Sequence, residues 1–109
     1  MNRGERRARL HYLFRGYRLL DANVSIAGYE LDLVVRRGRT VVFVEVKERS
    51  TAAYGGAALA VGAEKRRRVR RAAQAWLVAH PETRGLDVAL EVAAVERGRV
   101  ERLRFGDDL

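Results

Sequence analysis

Four charged residues, Glu30, Asp32, Glu45 and Lys47, interrupt the most apolar stretch of the chain, YELDLVVRRGRTVVFVEVKE. Burying an unpaired carboxylate is costly, so acids standing among Val41, Val42, Phe43, Val44 and Val46 call for a partner. The surrounding β-branched and aromatic residues read as two strands, about 29–36 and 41–48. Arg37-Gly38-Arg39-Thr40 reads as the loop between them. With that loop Arg36 faces Val41, Asp32 faces Glu45 and Glu30 faces Lys47; a shorter loop would shift the pairing. Alternation along the strands puts all four charged side chains on one face, with Val34, Val41 and Phe43. Leu31, Leu33, Val35, Val42, Val44 and Val46 fall on the other. Facing carboxylates repel each other, and a proton or a cation must relieve them. A hard divalent ion with oxygen ligands is the simplest remedy, and Lys47 adds positive charge on the same face. The alternative is structural: a Glu30–Lys47 cross-strand ion pair, with Asp32 and Glu45 as solvated strand-end residues.

Other segments must position this hairpin. Residues 3–15 read as a helix with an apolar stripe of Ala8, Leu10, Leu13 and Phe14 and a basic remainder, and Asn2 suits its N-cap. Glu5 lies in the first turn, where a carboxylate favours the helix dipole. His11 has no partner at ligand spacing and reads as partly buried structure. Gly16 closes the helix. Residues 17–25 form a first strand, irregular near Asp21-Ala22-Asn23, and Ala27-Gly28 turns it into the hairpin. The glycine-rich, nearly uncharged run 49–62 reads as a functional loop or a plain surface connector. Within it Tyr54 can stack on a base or pack inward.

Residues 63–80 are the clearest helix, with Val69, Ala72, Ala73, Trp76 and Leu77 at core spacing. Lys65, Arg66, Arg67, Arg68, Arg70 and Arg71 crowd its first half, opposed by Glu64 alone. A single-sign run of this density reads as a phosphate-tracking surface. His80-Pro81 stops the helix. Residues 86–96 alternate as a strand, and 99–105 form a last short element.

Composition bounds the function. A chain of 109 residues is expected to make one domain. The absence of cysteine removes disulfides and thiolate metal sites. The start, MNRGERRARL, lacks an apolar segment of the secretory kind, and no run is long enough to span a bilayer, so a cytoplasmic protein without a membrane is expected. A net charge of +8 and a pI near 10.9 point to a polyanionic partner, first of all nucleic acid. Of 22 basic residues only Lys47 and Lys65 are lysine. A lysine kept in so arginine-rich a chain suggests a task that needs a compact ammonium.

Asp, a hairpin and then Glu-x-Lys resembles the signature of the PD-(D/E)XK nuclease superfamily. The wider pattern resembles the YraN family of small bacterial proteins, which are similar to archaeal Holliday-junction resolvases. The matching pieces include Gly4-Glu5, Gly16-Tyr17, Asn23, Glu30-Leu31-Asp32-Leu33, Val42-Phe43-Val44-Glu45-Val46-Lys47, Arg49, Tyr54-Gly55, Lys65, Ala72-Ala73, Trp76-Leu77 and Asp87-Val88. Tyr29 departs from the pattern, standing where a second glycine is usual, and so does Leu86, where Phe is usual. The resemblance implies an α/β fold with a restriction-endonuclease-like αβββαβ core, a mixed central sheet flanked by helices and a single nuclease-like domain over 1–109. It implies a metal-dependent endodeoxyribonuclease for branched or structured DNA, working as a homodimer. Asp32 and Glu45 would hold Mg²⁺ or Mn²⁺ with the Val46 carbonyl, and Lys47 would act on the attacking water. Glu5, from the first helix, would lean toward the metal, and Glu30 is a further candidate. Nucleic acid would meet Lys65, Arg66, Arg67, Arg70, Arg71, Arg49 and Tyr54. A non-catalytic nucleic-acid-binding or repair accessory protein with the same fold is the alternative.

Overall fold

The computed structural model describes residues 2–48 and 62–106. Helix α1 (Arg3–Phe14) precedes three strands, β1 (Arg18–Ile26), β2 (Tyr29–Arg37) and β3 (Thr40–Glu48). Helix α2 (Ala63–Ala79), a 3-10 turn (Pro81–Thr83), β4 (Asp87–Glu96) and β5 (Arg99–Gly106) follow. The five strands lie side by side in chain order. All neighbours are antiparallel except β3 and β4, which are parallel. A parallel pair needs a crossover, and α2 lies on it. This is the expected α/β arrangement, αβββαβ plus a closing strand.

Among the described residues each face of the sheet carries one helix. Ala8 and Tyr12 of α1 pack on Leu33, Val35, Val42, Val44, Ala89 and Ala93. Val69, Ala72, Ala73 and Trp76 of α2 pack on Val34, Val41, Phe43 and Leu90 from the other side. Trp76 meets Phe43 edge-on at 5.5 Å between ring centroids, and its indole N–H donates to Asp21 at 2.9 Å. The core face of α2 is the one its spacing predicts. That of α1 is not. Gly4, Glu5, Ala8 and Tyr12 are buried, whereas Leu10, Leu13 and Phe14 are 49%, 39% and 85% exposed. Small residues let α1 lie close to the sheet: a Cβ on Gly4 would stand 3.0 Å from a Glu48 carboxylate oxygen. Tyr12 then reaches through to buried Glu91, its hydroxyl donating at 2.7 Å.

The hairpin loop is shorter than the four residues expected, since Arg37 pairs with Thr40, but Arg36 still faces Val41. Pairing of β2 with β3 runs only as far as Leu33 opposite Val44. Beyond that β3 stays with β4, in unbroken register to Glu48 opposite Val95. β2 stays with β1 out to Tyr29 opposite Ile26. A gap therefore opens between β2 and β3 at the end that carries the charged residues.

Alternation also changes phase there. Leu33 packs on the α1 side, but Leu31 joins Val34 on the α2 side. Asn23 and Asp32 stand between the pairs Ala22–Leu33 and Val24–Leu31. Asn23 has φ +50°, a left-handed conformation that asparagine tolerates better than most residues. The single shared face expected for Glu30, Asp32, Glu45 and Lys47 is accordingly broken. Glu30 and Asp32 turn toward α1, and Glu45 turns toward α2.

Candidate functional site

Asp32 sits in the gap between β2 and β3. Its Oδ2 accepts the Val46 N–H at 2.8 Å, in place of the backbone carbonyl that a continued ladder would have offered. The N–H and C=O of one strand residue point to the same side, so the Val46 carbonyl faces the same gap. Glu5 enters from the first turn of α1. Its Oε1 accepts from the Asn2 N–H at 3.0 Å, while the Asn2 side chain accepts from the Glu5 N–H at 2.8 Å. This capping box fixes the carboxylate against the helix end. Its Oε2 accepts from Asn23 Nδ2 at 2.7 Å, so the irregular residue of β1 also steers it.

Glu5, Glu30 and Asp32 each offer a carboxylate oxygen, and these atoms all lie within 4.8 Å of one another. Burial raises the pKa of Asp32 from an ordinary 3.8 to about 7, with Glu45, Glu5 and Glu30 adding to the rise and the Val46 N–H opposing it. The group thus sits where an added positive charge is favoured. A half-buried carboxylate beside two others, with a carbonyl facing the same gap, is a donor set suited to a hard divalent ion.

Glu45 is engaged elsewhere. Its Oε1 meets Lys65 Nζ at 2.8 Å, and its Oε2 accepts from the Tyr29 hydroxyl at 3.0 Å. Burial and then the Glu45 charge push the Tyr29 phenol up. Lys47 is exposed, two residues further along β3, where alternation keeps it on the Glu45 side. The structure therefore gathers Asp32, Glu5 and Glu30 on one side of the gap, and Glu45 with Lys47 on the other.

Sequence reasoning groups Lys65 with the arginines of α2, and the structure separates it from them. Lys65 is one turn ahead of Val69 and two ahead of Ala72, on the buried stripe, and it reaches into the site. Arg66 and Arg70 flank that stripe half-buried, and Arg67 and Arg71 are exposed. Glu64 bridges Arg67 at 3.0 Å and Arg68 at 3.3 Å, so part of the basic run is internally balanced. Arg49 and Tyr54 lie outside the described residues. Two participants are not apparent from the sequence. Asn23 holds Glu5, and Tyr29, a departure from the family pattern, holds Glu45. The i, i+4, i+7 relation of Lys65 to Val69 and Ala72 is the sign in the sequence that this lysine faces inward.

Residues 4–103 match the family model described as Uncharacterised protein family UPF0102. The chain belongs to the UPF0102 family. A UPF0102 protein of Methylorubrum extorquens (strain PA1) is 46% identical over 95 residues, covering 87% of this chain and 73% of that one. One from Alkalilimnicola ehrlichii (strain ATCC BAA-1101 / DSM 17681 / MLHE-1) is 41% identical over 103 residues, 94% and 82% of the two chains. The UPF0102 protein YraN of Escherichia coli (strain SMS-3-5 / SECEC) is 40% identical over 91 residues, 83% and 70% of the two. The YraN resemblance read from the sequence is thus a family membership. In this UPF0102 chain no helix among the described residues is long and apolar enough to cross a membrane.

Proposed function

We propose that this UPF0102 protein is a divalent-metal-dependent endonuclease acting on branched or otherwise structured DNA. The observation that carries the reading is the convergence of Asp32, Glu5 and Glu30 within 4.8 Å at the point where β2 and β3 part. Asp32, Glu5 and Glu30 would hold Mg²⁺ or Mn²⁺, with the Val46 carbonyl and Glu45 as further ligands. When bound, such an ion polarises a phosphoryl oxygen and lowers the pKa of a coordinated water.

The chain's own residues do the rest. Val46 fixes Asp32 by its N–H, and Asn23 and the capping box fix Glu5, so the acidic side of the gap is pre-arranged. Lys47, exposed beside the gap, orients the attacking water and neutralises charge that builds on the phosphate in the transition state. Arg66, Arg67, Arg70 and Arg71 track the backbone phosphates and carry most of the sequence-independent affinity. On a four-way junction a two-fold pair of chains would supply two opposed cuts.

The test is a nicking assay on linear, flapped and four-way DNA of one sequence, with Mg²⁺ or Mn²⁺ and with EDTA. Metal-dependent nicking that favours the branched substrates is expected. Asp32→Ala and Lys47→Ala should each lower the rate by about 100-fold or more, the scale of removing one electrostatic partner of a transition state. DNA bound but never cut with either ion would turn the reading to a non-catalytic binding module.

A further inference from the structure

Lys65 is a cation in an awkward place. It lies in the first turn of α2, where the helix dipole disfavours positive charge, and the N-cap there is Gly62 with no side-chain hydrogen bond. It also lies on the helix face that buries Val69, Ala72 and Trp76, where its partly exposed side chain loses some of its hydration. Its Nζ contact with Glu45 at 2.8 Å offsets both penalties. Seen from the other side, Glu45 is a nearly buried carboxylate whose two oxygens are taken by Lys65 and by the Tyr29 hydroxyl. Glu45 belongs to β3 and Lys65 to α2, so the contact spans two elements of the sheet–helix layer.

We propose that Lys65 is an internal counter-ion that occupies Glu45 until a divalent cation enters the gap, and that Glu45 becomes a ligand only by exchanging Lys65 for that cation. The inference rests on the metal-site reading above and adds an exchange step to it. Three facts support it. The Asp32, Glu5 and Glu30 oxygens already converge, so a cation has a first foothold that does not require Glu45. Glu45 and Asp32 are close enough for the charge of one to bear on the other, so a cation at Asp32 also attracts Glu45. Lys65 is partly exposed on a flexible four-carbon stem and can return to water when released. Lys65 is a positioning residue here. It sets the availability of Glu45 and has no part in the chemical step.

A double-mutant cycle on Mn²⁺ affinity, read by isothermal titration calorimetry on the full chain without DNA, tests the exchange. Lys65→Met should tighten Mn²⁺ by about tenfold, the range of a typical coupling between sites. In a Glu45→Gln background the same change should have little effect, because no carboxylate remains to be released. Lys65→Arg keeps the charge and should stay near wild type. If Lys65→Met fails to fold, Lys65→Gln replaces it in the same cycle. An equal gain in both backgrounds would mean simple repulsion between Lys65 and the ion and would overturn the exchange. Unchanged or weaker Mn²⁺ binding in Lys65→Met would overturn it as well, leaving Lys65 a structural anchor. A wild-type chain that binds no Mn²⁺ would instead remove the metal-site reading itself, and the exchange with it.

Discussion

Asp32 is the residue on which the electrostatics of the site turn. Its folded-state pKa, raised to about 7, means that the metal-free native state keeps a proton that the unfolded chain gives up near 4. Between those values the native state binds more protons, so the contribution of Asp32 to stability falls as pH rises, and it levels off above about 7. His11 slopes the other way over part of this range. Burial, then Arg15 and Arg102, lower its pKa, so stability is lost as the pH drops and this ring must charge. The difference between wild type and Asp32→Asn isolates the first effect. In EDTA the substitution should stabilise the protein at pH 8 relative to its effect at pH 4.5, by on the order of 1–2 kcal/mol for a partly solvated carboxylate, seen as a higher melting temperature at the upper pH only. In the wild type, Mn²⁺ should raise the melting temperature more at pH 8 than at pH 5, because it no longer competes with the proton. A pH-independent difference would contradict the burial argument. The identity of these residues was legible in the sequence, since charges inside VVFVEVKE stand out. Their grouping was not. Strand alternation assumes an unbroken ladder, and the pairing of β2 with β3 stops at Leu33 opposite Val44, just before Asp32.

Elements were legible where their periodicity met a plain apolar environment. The core stripe of α2 follows from side-chain spacing alone, because it packs against other apolar residues, whereas the hairpin register needed an assumed loop and holds only from Arg36 opposite Val41 to Leu33 opposite Val44. Helix α1 fails the same test for a physical reason. What holds its buried face is partly polar, and the partners are remote in sequence. Tyr12 donates to Glu91 across 79 positions of chain. Arg102 of β5 donates to Glu91 at 2.9 Å and to the Tyr17 hydroxyl at 2.9 Å, and it lies over both tyrosine rings. Burial opposes ionisation of Glu91, but Arg102, Tyr12 and Arg104 outweigh it and hold the carboxyl below its ordinary value. A hydrophobic-stripe rule has no means of choosing Tyr12 and Glu5 over Leu10 and Phe14. The network predicts that α1 is fastened at Glu91. Glu91→Ala leaves Arg102 and the Tyr12 hydroxyl without their shared acceptor and should cost about 3 kcal/mol in urea unfolding, as breaking a buried pair does. Tyr12→Phe removes one hydrogen bond and should cost about 1 kcal/mol. Equal, small losses in both would show that α1 is held by apolar packing alone. Because α1 also carries Glu5, the Glu91→Ala protein should bind Mn²⁺ less tightly even though Glu91 lies outside the acidic cluster.

On the scale of the whole molecule, charge is divided by region. The chain carries +8 overall, yet the gap between β2 and β3 collects Glu5, Glu30, Asp32 and Glu45. Its cations lie to either side. Arg66, Arg67, Arg70 and Arg71 line one flank of α2, while Arg3, Arg7 and Arg97 gather with Glu48 around a cleft on the α1 side. A uniformly basic surface would attract a polyanion without orienting it. On the proposed reading, an acidic groove between basic flanks would repel phosphates from the groove unless a cation bridged them, leaving the flanks to hold the backbone. Binding and metal affinity should therefore be separable by mutation. Reversing Arg70 and Arg71 to Glu should weaken DNA binding for every sequence. It should also flatten the plot of log affinity against log salt by about two units of slope, near 0.9 for each phosphate that is no longer neutralised. Mn²⁺ affinity measured without DNA should change little, because Arg70 and Arg71 lie off the helical stripe that carries Lys65, Val69 and Ala72. The converse holds for Asp32→Asn, which should abolish Mn²⁺ binding. In EDTA it should leave DNA affinity equal or slightly higher, since one carboxylate fewer then faces the phosphates. If reversing Arg70 and Arg71 leaves both the affinity and the slope untouched, the DNA backbone runs along the α1 side, and the same reversal at Arg7 and Arg97 should then weaken binding instead.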